Sequence, residues 1–115
     1  MVRAIMHGCN GKMGQVITGL VRDDEQIEIV GGVDAYLGSE NTYPTFNPLA
    51  ECDVEADVVI DFSNASAVNA LLDECVARKL PVVLCTTGLS EEQLAKVDKA
   101  SESTAVLRSA NMSLG

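Results

Sequence analysis

Gly8-Cys9-Asn10-Gly11-Lys12-Met13-Gly14 joins two stretches of different periodicity, and its reading decides the fold. Before it, Val2–His7 is a short apolar run, the pattern of a buried strand. After it, Met13, Val16, Ile17, Leu20 and Val21 recur at i, i+3 and i+4. That spacing predicts one apolar face of a helix from about Lys12 to Asp23. Ile27, Ile29, Val30 and Val33 then predict a second strand that ends at Asp34. Strand, glycine turn, helix and strand in that order make one parallel crossover unit.

The alternation resumes after a break. Residues 35–56 lack a clear period and are punctuated by Pro44, Pro48, Gly38 and Asn41; we expect loop and, at most, a short edge strand around Thr45-Phe46. Val58-Val59-Ile60 predicts a third strand ending at Asp61. Ser63 or Asn64 can cap a helix whose face is Val68, Leu71, Leu72, Cys75 and Val76. Pro81 opens the apolar strand Val82-Val83-Leu84-Cys85. Ser90 with Gln93 forms a capping box for a helix from about Glu91 to Ala100, and Ala105-Val106-Leu107 is the last strand. Near-continuous apolar strands alternating with helices predict an α/β fold: a doubly wound parallel sheet, Rossmann-like, with helices on both faces.

The 115 residues suffice for one hydrophobic core, so we read 1–115 as one domain. Hydrophobic residues at 47% and charged residues at 22% exclude a disordered chain. No apolar run approaches the roughly 18–20 residues of a membrane helix, and Met1-Val2-Arg3-Ala4-Ile5 does not open a signal peptide. Eight Lys+Arg against 17 Asp+Glu leave a net charge of -9, which repels a nucleic-acid backbone. We therefore expect neither nucleic acid nor membrane as a partner. Cys9, Cys52, Cys75 and Cys85 form no Cys-x-x-Cys pair, and His7 is the one histidine. Free thiols in a reducing cytoplasm, with no metal site, are the expectation.

Between a strand and a helix, glycines at 8, 11 and 14 allow a tight turn, close approach of backbone to a pyrophosphate, and close helix–sheet packing. The helix N-terminus presents free N–H groups and a positive dipole end, which can hold a diphosphate even on an acidic chain. Asn10 stands where many such loops carry glycine, and asparagine is the non-glycine residue best able to take a left-handed conformation there, so the turn remains feasible. Met13 follows Gly11-Lys12 where a Walker loop has Ser or Thr, so that reading is a poor fit. Glycines alone also form ordinary turns. Asp34 adds weight: it follows Gly14 by about 20 residues at a strand end, where a carboxylate hydrogen-bonds an adenosine ribose. Lys12 reads two ways, as a solvated first-turn lysine or as a group reaching the ribose edge or a 2′-phosphate. Asp34 repels a 2′-phosphate and neither Ala35 nor Tyr36 supplies an arginine, so NADH should bind at least as well as NADPH.

Ligands of doubly wound sheets sit at the carboxyl ends of the strands. That rim collects Asp34, Asp61-Phe62-Ser63, Cys85-Thr86-Thr87-Gly88 and Ser109-Ala110-Asn111-Met112. Taken singly, Thr86-Thr87-Gly88 is an ordinary turn and Ser63 or Asn64 a helix cap. Cys85 ends an apolar run and reads as a buried, inert thiol. His7 has no carboxylate or serine pattern to make it a base, and reads as structural.

In series, the segments Gly8–Gly14, Val59-Ile60-Asp61-Phe62-Ser63, Thr86-Thr87-Gly88 and Ser109-Ala110-Asn111-Met112-Ser113 carry a resemblance. Over essentially its whole length the chain resembles the N-terminal, cofactor-binding domain of the dihydrodipicolinate reductases (4-hydroxy-tetrahydrodipicolinate reductases) of bacterial lysine and diaminopimelate biosynthesis. The resemblance implies hydride transfer from NADH or NADPH to a cyclic dihydrodipicolinate-type substrate. It implies that Gly8, Cys9, Asn10, Gly11, Lys12 and Met13 hold the pyrophosphate and Asp34 the ribose. Cys85, Thr86 and Thr87, with Ser109, Ala110, Asn111 and Met112, would flank the nicotinamide. The family usually carries Gly where Cys85 stands and Phe where Met112 stands. It also implies a homotetrameric parent whose second domain holds a His-His motif, a catalytic lysine and the substrate-binding loop. We therefore expect no catalytic residue in these 115 residues, which alone should bind dinucleotide weakly and turn over nothing.

Two other readings share the loop. A fragment of an extended short-chain dehydrogenase or epimerase would need a Tyr-x-x-x-Lys pair, but Tyr36 is followed by Glu40 and Tyr43 by Asn47. A non-catalytic nucleotide- or coenzyme A-binding module would use the same fold without chemistry.

Overall fold

All strand pairings are parallel in the computed structural model, which describes residues 2–34, 43–47, 49–86 and 88–108. Among these residues the strands are β1 (Val2–His7), β2 (Ile27–Val33), β3 (Thr45–Phe46), β4 (Val58–Asp61), β5 (Val82–Leu84) and β6 (Val106–Arg108). Helix α1 (Lys12–Arg22) follows β1, α2 (Ala65–Arg78) follows β4, and α3 (Glu91–Ala100) follows β5. The sheet order is β3-β2-β1-β4-β5-β6. Successive strands step outward from β1 in one direction and then, from β4, in the other. Between β1 and β4 lies the switch point, where a doubly wound sheet opens a crevice at its carboxyl ends.

Central placement explains the apolar strands. Ala4, Ile5 and Met6 of β1 have no exposure, because helices cover both faces of the sheet. On one face Ile5, Val59, Val82 and Leu84 pack against Val68, Leu71, Leu72 and Cys75 of α2 and Val97 of α3. On the other, Met6, Cys9, Ile29 and Tyr43 pack with Ile17 and Val21 of α1. The doubly wound α/β architecture expected from the sequence is the one observed.

Helix α1 departs from its predicted face. Its buried residues are Gly14 and Thr18, while Met13, Val16 and Leu20 are 45%, 48% and 72% exposed. The reason is steric. A Cβ at Gly14 would lie 2.2 Å from the Gly8 carbonyl oxygen and 2.8 Å from the Cys9 Cα, so the helix seats on backbone at its smallest residue. That seat turns three of the five residues of the apolar stripe away from the sheet. The helix also ends one residue early, with Asp23 as its C-cap.

Smaller differences have local causes. Strand β6 runs Val106–Arg108, one residue later than expected, and β5 stops at Leu84. Asn64 is the N-cap of α2 but makes no side-chain cap bond; its Oδ1 accepts the Ser66 hydroxyl instead. The α3 capping box is formed as predicted: Ser90 Oγ accepts from the Gln93 N–H at 3.2 Å, and Gln93 Oε1 accepts from the Ser90 N–H at 3.0 Å. The edge strand at Thr45–Phe46 pairs with Gly32 and Val33 of β2. A 3-10 turn at Leu49–Glu51, which the sequence reading did not foresee, buries Leu49 in the core beneath α2. Cys9, Cys52, Cys75 and Cys85 are all buried, and none is in a disulfide with another described residue. Among the described residues no helix is long and apolar enough to cross a membrane.

Candidate functional site

The glycine loop runs from the end of β1 to the start of α1 and is fixed by backbone bonds. The N–H groups of Gly8 and Cys9 both donate to the Val33 carbonyl, at 2.6 and 3.3 Å, and Gly11 N–H donates to the Gly8 carbonyl at 3.1 Å. Gly8 has φ +88°, and a Cβ there would meet the Phe62 carbonyl oxygen at 2.8 Å, so both conformation and space require glycine. The left-handed position foreseen for Asn10 is not there. Among the described residues only Lys79, outside glycine, has positive φ; Gly8 makes the turn and Asn10 is spared it.

Gly11 is the N-cap of α1 and brings no side-chain cap bond, and the first turn holds no acidic residue. The first N–H groups of a helix lack intrahelical partners, so this end can receive an anion. Lys12 and Met13 are exposed at its mouth. Cys9 has no such exposure: burial, reinforced by the Asp34 charge, pushes its thiol up to about 11. A side chain kept neutral and packed against Gly32 offers the loop its backbone only.

Asp34 stands just past β2. Its Oδ2 accepts the backbone N–H of Asn10 at 3.0 Å, which fixes the carboxylate beside the loop. A groove of about 440 Å³ opens next to it at the carboxyl ends of β1 and β2. Its walls include His7, Gly8, Val33 and Asp34 on the sheet side, Leu49 from the 3-10 turn, and Ser63, Asn64 and Ala67 at the head of α2. Three carboxylates line it, Asp34 just past β2 and Asp73 and Glu74 of α2, and the largely apolar wall between them suits a base, with Asp34 placed for its sugar.

Beneath the groove lies a buried polar hub. Asp61, with no exposure, accepts from His7 Nδ1 at 2.9 Å and from the Ser63 N–H and hydroxyl at 3.1 and 2.5 Å, all at Oδ1. Its Oδ2 accepts the Thr86 hydroxyl. Burial alone would push this carboxyl up; the bonds from His7, Ser63 and Thr86 outweigh it and hold the group below the ordinary carboxylate value. The Thr86 hydroxyl is thus directed inward, and it also lies 3.1 Å from the Ser63 carbonyl. Cys85 is buried, and burial followed by the Asp61 charge pushes its thiol up. The structure brings Gly8, Cys9, Asn10, Gly11, Lys12, Met13 and Asp34 to one end of the sheet, with Cys85 and Thr86 at the adjoining strand end. Thr87, Ser109, Ala110, Asn111 and Met112 lie outside the described residues.

The pairing of His7 with Asp61 escaped the sequence reading. Both end predicted parallel strands, and each is in phase with a core residue two before it, Ile5 and Val59. Neighbouring strands whose last inward residues are His and Asp carry a signal for such a pair, but only once β1 and β4 are known to be adjacent. Among the described residues no group of three His, Cys, Asp or Glu side chains could hold a metal ion.

A family model described as dihydrodipicolinate reductase, N-terminus, matches residues 2–112. The chain belongs to the dihydrodipicolinate reductase N-terminal family. The 4-hydroxy-tetrahydrodipicolinate reductase of Caldanaerobacter subterraneus is 50% identical over 119 residues, covering 100% of this chain and 45% of the relative. That of Clostridium novyi is 48% identical over 115 residues, covering 100% of this chain and 46% of the relative. The chain therefore spans about half the length of these dihydrodipicolinate reductases. Among solved structures, the dipicolinate-bound dihydrodipicolinate reductase from Paenisporosarcina sp. TG-14 shares the fold with a TM-score of 0.82 at 23% identity, over 99% of this chain and 49% of that one. The WlbA dehydrogenase from Chromobacterium violaceum, solved with NADH and UDP-GlcNAcA, aligns with a TM-score of 0.70 at 16% identity, over 94% of this chain and 34% of its own.

Proposed function

We propose that these residues form the dinucleotide-binding domain of a 4-hydroxy-tetrahydrodipicolinate reductase and hold NADH or NADPH. The carrying observation is the α1 N-terminus, free of any side-chain cap and seated on a loop where Gly8 and Gly14 leave no room for a Cβ. A cradle of that shape fits a diphosphate: the backbone of Gly8 to Met13 surrounds it and the helix end supplies N–H groups. Asp34 then takes the adenosine ribose and the apolar groove beside it the adenine. Cys85, Thr86 and Thr87, with Ser109 to Met112, flank the nicotinamide in this reading. When bound, the coenzyme supplies a hydride for the cyclic substrate; the chain's own residues bind and orient it.

The substrate clamp and the proton donor belong, in this proposal, to the further length that the relatives possess, which cover 45% and 46% of themselves with this stretch. A homotetrameric, cytoplasmic enzyme of lysine and diaminopimelate synthesis completes the reading. The test is oxidation of NADH by the cyclic substrate, followed as loss of the reduced-nicotinamide absorbance. The protein carrying the second domain should turn over, and residues 1–115 alone should not. Absence of turnover in the former overturns the activity; turnover in the latter overturns the division of labour.

A further inference from the structure

Asp61 lies below the groove and does not line it, yet every group bonded to its side chain belongs to the ligand end of the sheet. His7 is its ladder partner at the end of β1, and Leu84, at the end of β5, is its ladder partner on the other side. His7 and Ser63 line the groove. Thr86 lies two residues past the end of β5. One carboxylate therefore spans three adjacent strand ends at the switch point. We infer that Asp61 is a positioning residue for the coenzyme: its buried carboxylate fixes the His7 and Ser63 walls of the groove together with Thr86 just past β5. This rests on the dinucleotide reading above.

Stability alone does not call for such a group. A carboxylate taken out of water is costly, and an apolar residue of its size would pack the same space without that cost. What an apolar residue would not supply is direction. The bond at Nδ1 leaves Nε2 as the His7 ring's other polar atom and fixes the orientation of the ring in the groove wall. Ser63 is held twice, through its N–H and its hydroxyl, so the turn before α2 has little freedom.

The experiment is a calorimetric titration of the protein with NADH, in wild type, Asp61→Asn, Thr86→Val, Thr86→Ser and the Asp61→Asn/Thr86→Val double variant, with melting curves to show that each is folded. Asp61→Asn and Thr86→Val should each raise Kd on the order of tenfold, the worth of a hydrogen bond to a charged group. Thr86→Ser, which keeps the hydroxyl, should bind like wild type. The double variant should bind no more weakly than the weaker single, because both changes cut one link. A folded Asp61→Asn with wild-type Kd, or losses that add in the double variant, overturns the inference. Should Asp61→Asn fail to fold, equal Kd values for Thr86→Val and Thr86→Ser overturn it. Wild type that binds no NADH overturns the coenzyme reading and this inference together, whereas wild-type binding with unaffected variants overturns this inference alone.

Discussion

The backbone N–H of Asn10 donates to the Asp34 carboxylate at 3.0 Å, which ties the end of β2 to the glycine loop at the edge of the groove. The charge is thereby fixed beside the site proposed for the adenosine ribose. A 2′-phosphate brought there meets a carboxylate that is already oriented and held.

Coenzyme choice follows from that charge. Wild type should bind NADH at least as tightly as NADPH, and Asp34→Asn should shift the preference toward NADPH by about tenfold, or about 1.4 kcal/mol. Parallel titrations of both proteins with both coenzymes check this. NADPH binding about a hundredfold tighter in wild type, near 2.7 kcal/mol, would refute the role given to Asp34.

Two glycines of α1 should respond in opposite directions. A Cβ at Gly14 would sit 2.2 Å from the Gly8 carbonyl oxygen, whereas one at Gly19 would meet nothing within 4 Å. Gly14→Ala should cost at least ~2 kcal/mol of stability and disturb the loop. Gly19→Ala should gain about 0.5–1 kcal/mol from helix propensity. Denaturant melts of the two variants decide it, and similar midpoints would contradict the packing described for α1.

Acid should weaken the protein through Asp61. Its carboxyl is held below the ordinary value in the folded state, so the folded state binds fewer protons near that pH. The stabilisation is present above the unfolded carboxylate value of about 3.9 and is lost as pH falls through the lower folded value. Asp61→Asn removes this dependence, so the difference in stability between wild type and variant should shrink as pH drops from neutral toward that range. Urea melts across pH measure it; a constant difference would contradict the paired, ionised state.

The thiols should be silent until unfolding. Burial pushes Cys75 up to about 12 and Cys9 to about 11, and raises Cys52 and Cys85 as well. At neutral pH a thiol-specific chromogen should react slowly with the native protein and with all four cysteines once it is denatured. A rapid native reaction would place a thiolate where the structure has a buried thiol.

Strand positions were readable because residues covered on both faces leave continuous apolar runs, as in Ala4, Ile5 and Met6. The Ser90–Gln93 box was readable because capping chemistry is local. The inward face of α1 was not. Its orientation is set by contact of Gly14 with Gly8 and Cys9 backbone, a relation between atoms that hydrophobic spacing does not encode. The same limit applies at Asn10, where the turn was relieved by Gly8 two residues earlier. In the candidate site, the glycines and Asp34 announced themselves through spacing along the chain. The bond of His7 to Asp61 spans 54 residues and exists because β1 and β4 are neighbours, so it had to wait for the sheet order.

The most direct measurement is an isothermal titration of the folded chain with NADH, repeated with ADP-ribose present as competitor. Saturable binding at a single site, displaced by ADP-ribose, is the expected result, because the helix end and Asp34 engage the adenosine diphosphate half. A folded chain that gives no binding heat with NADH or NADPH at millimolar concentration would contradict the account at its base.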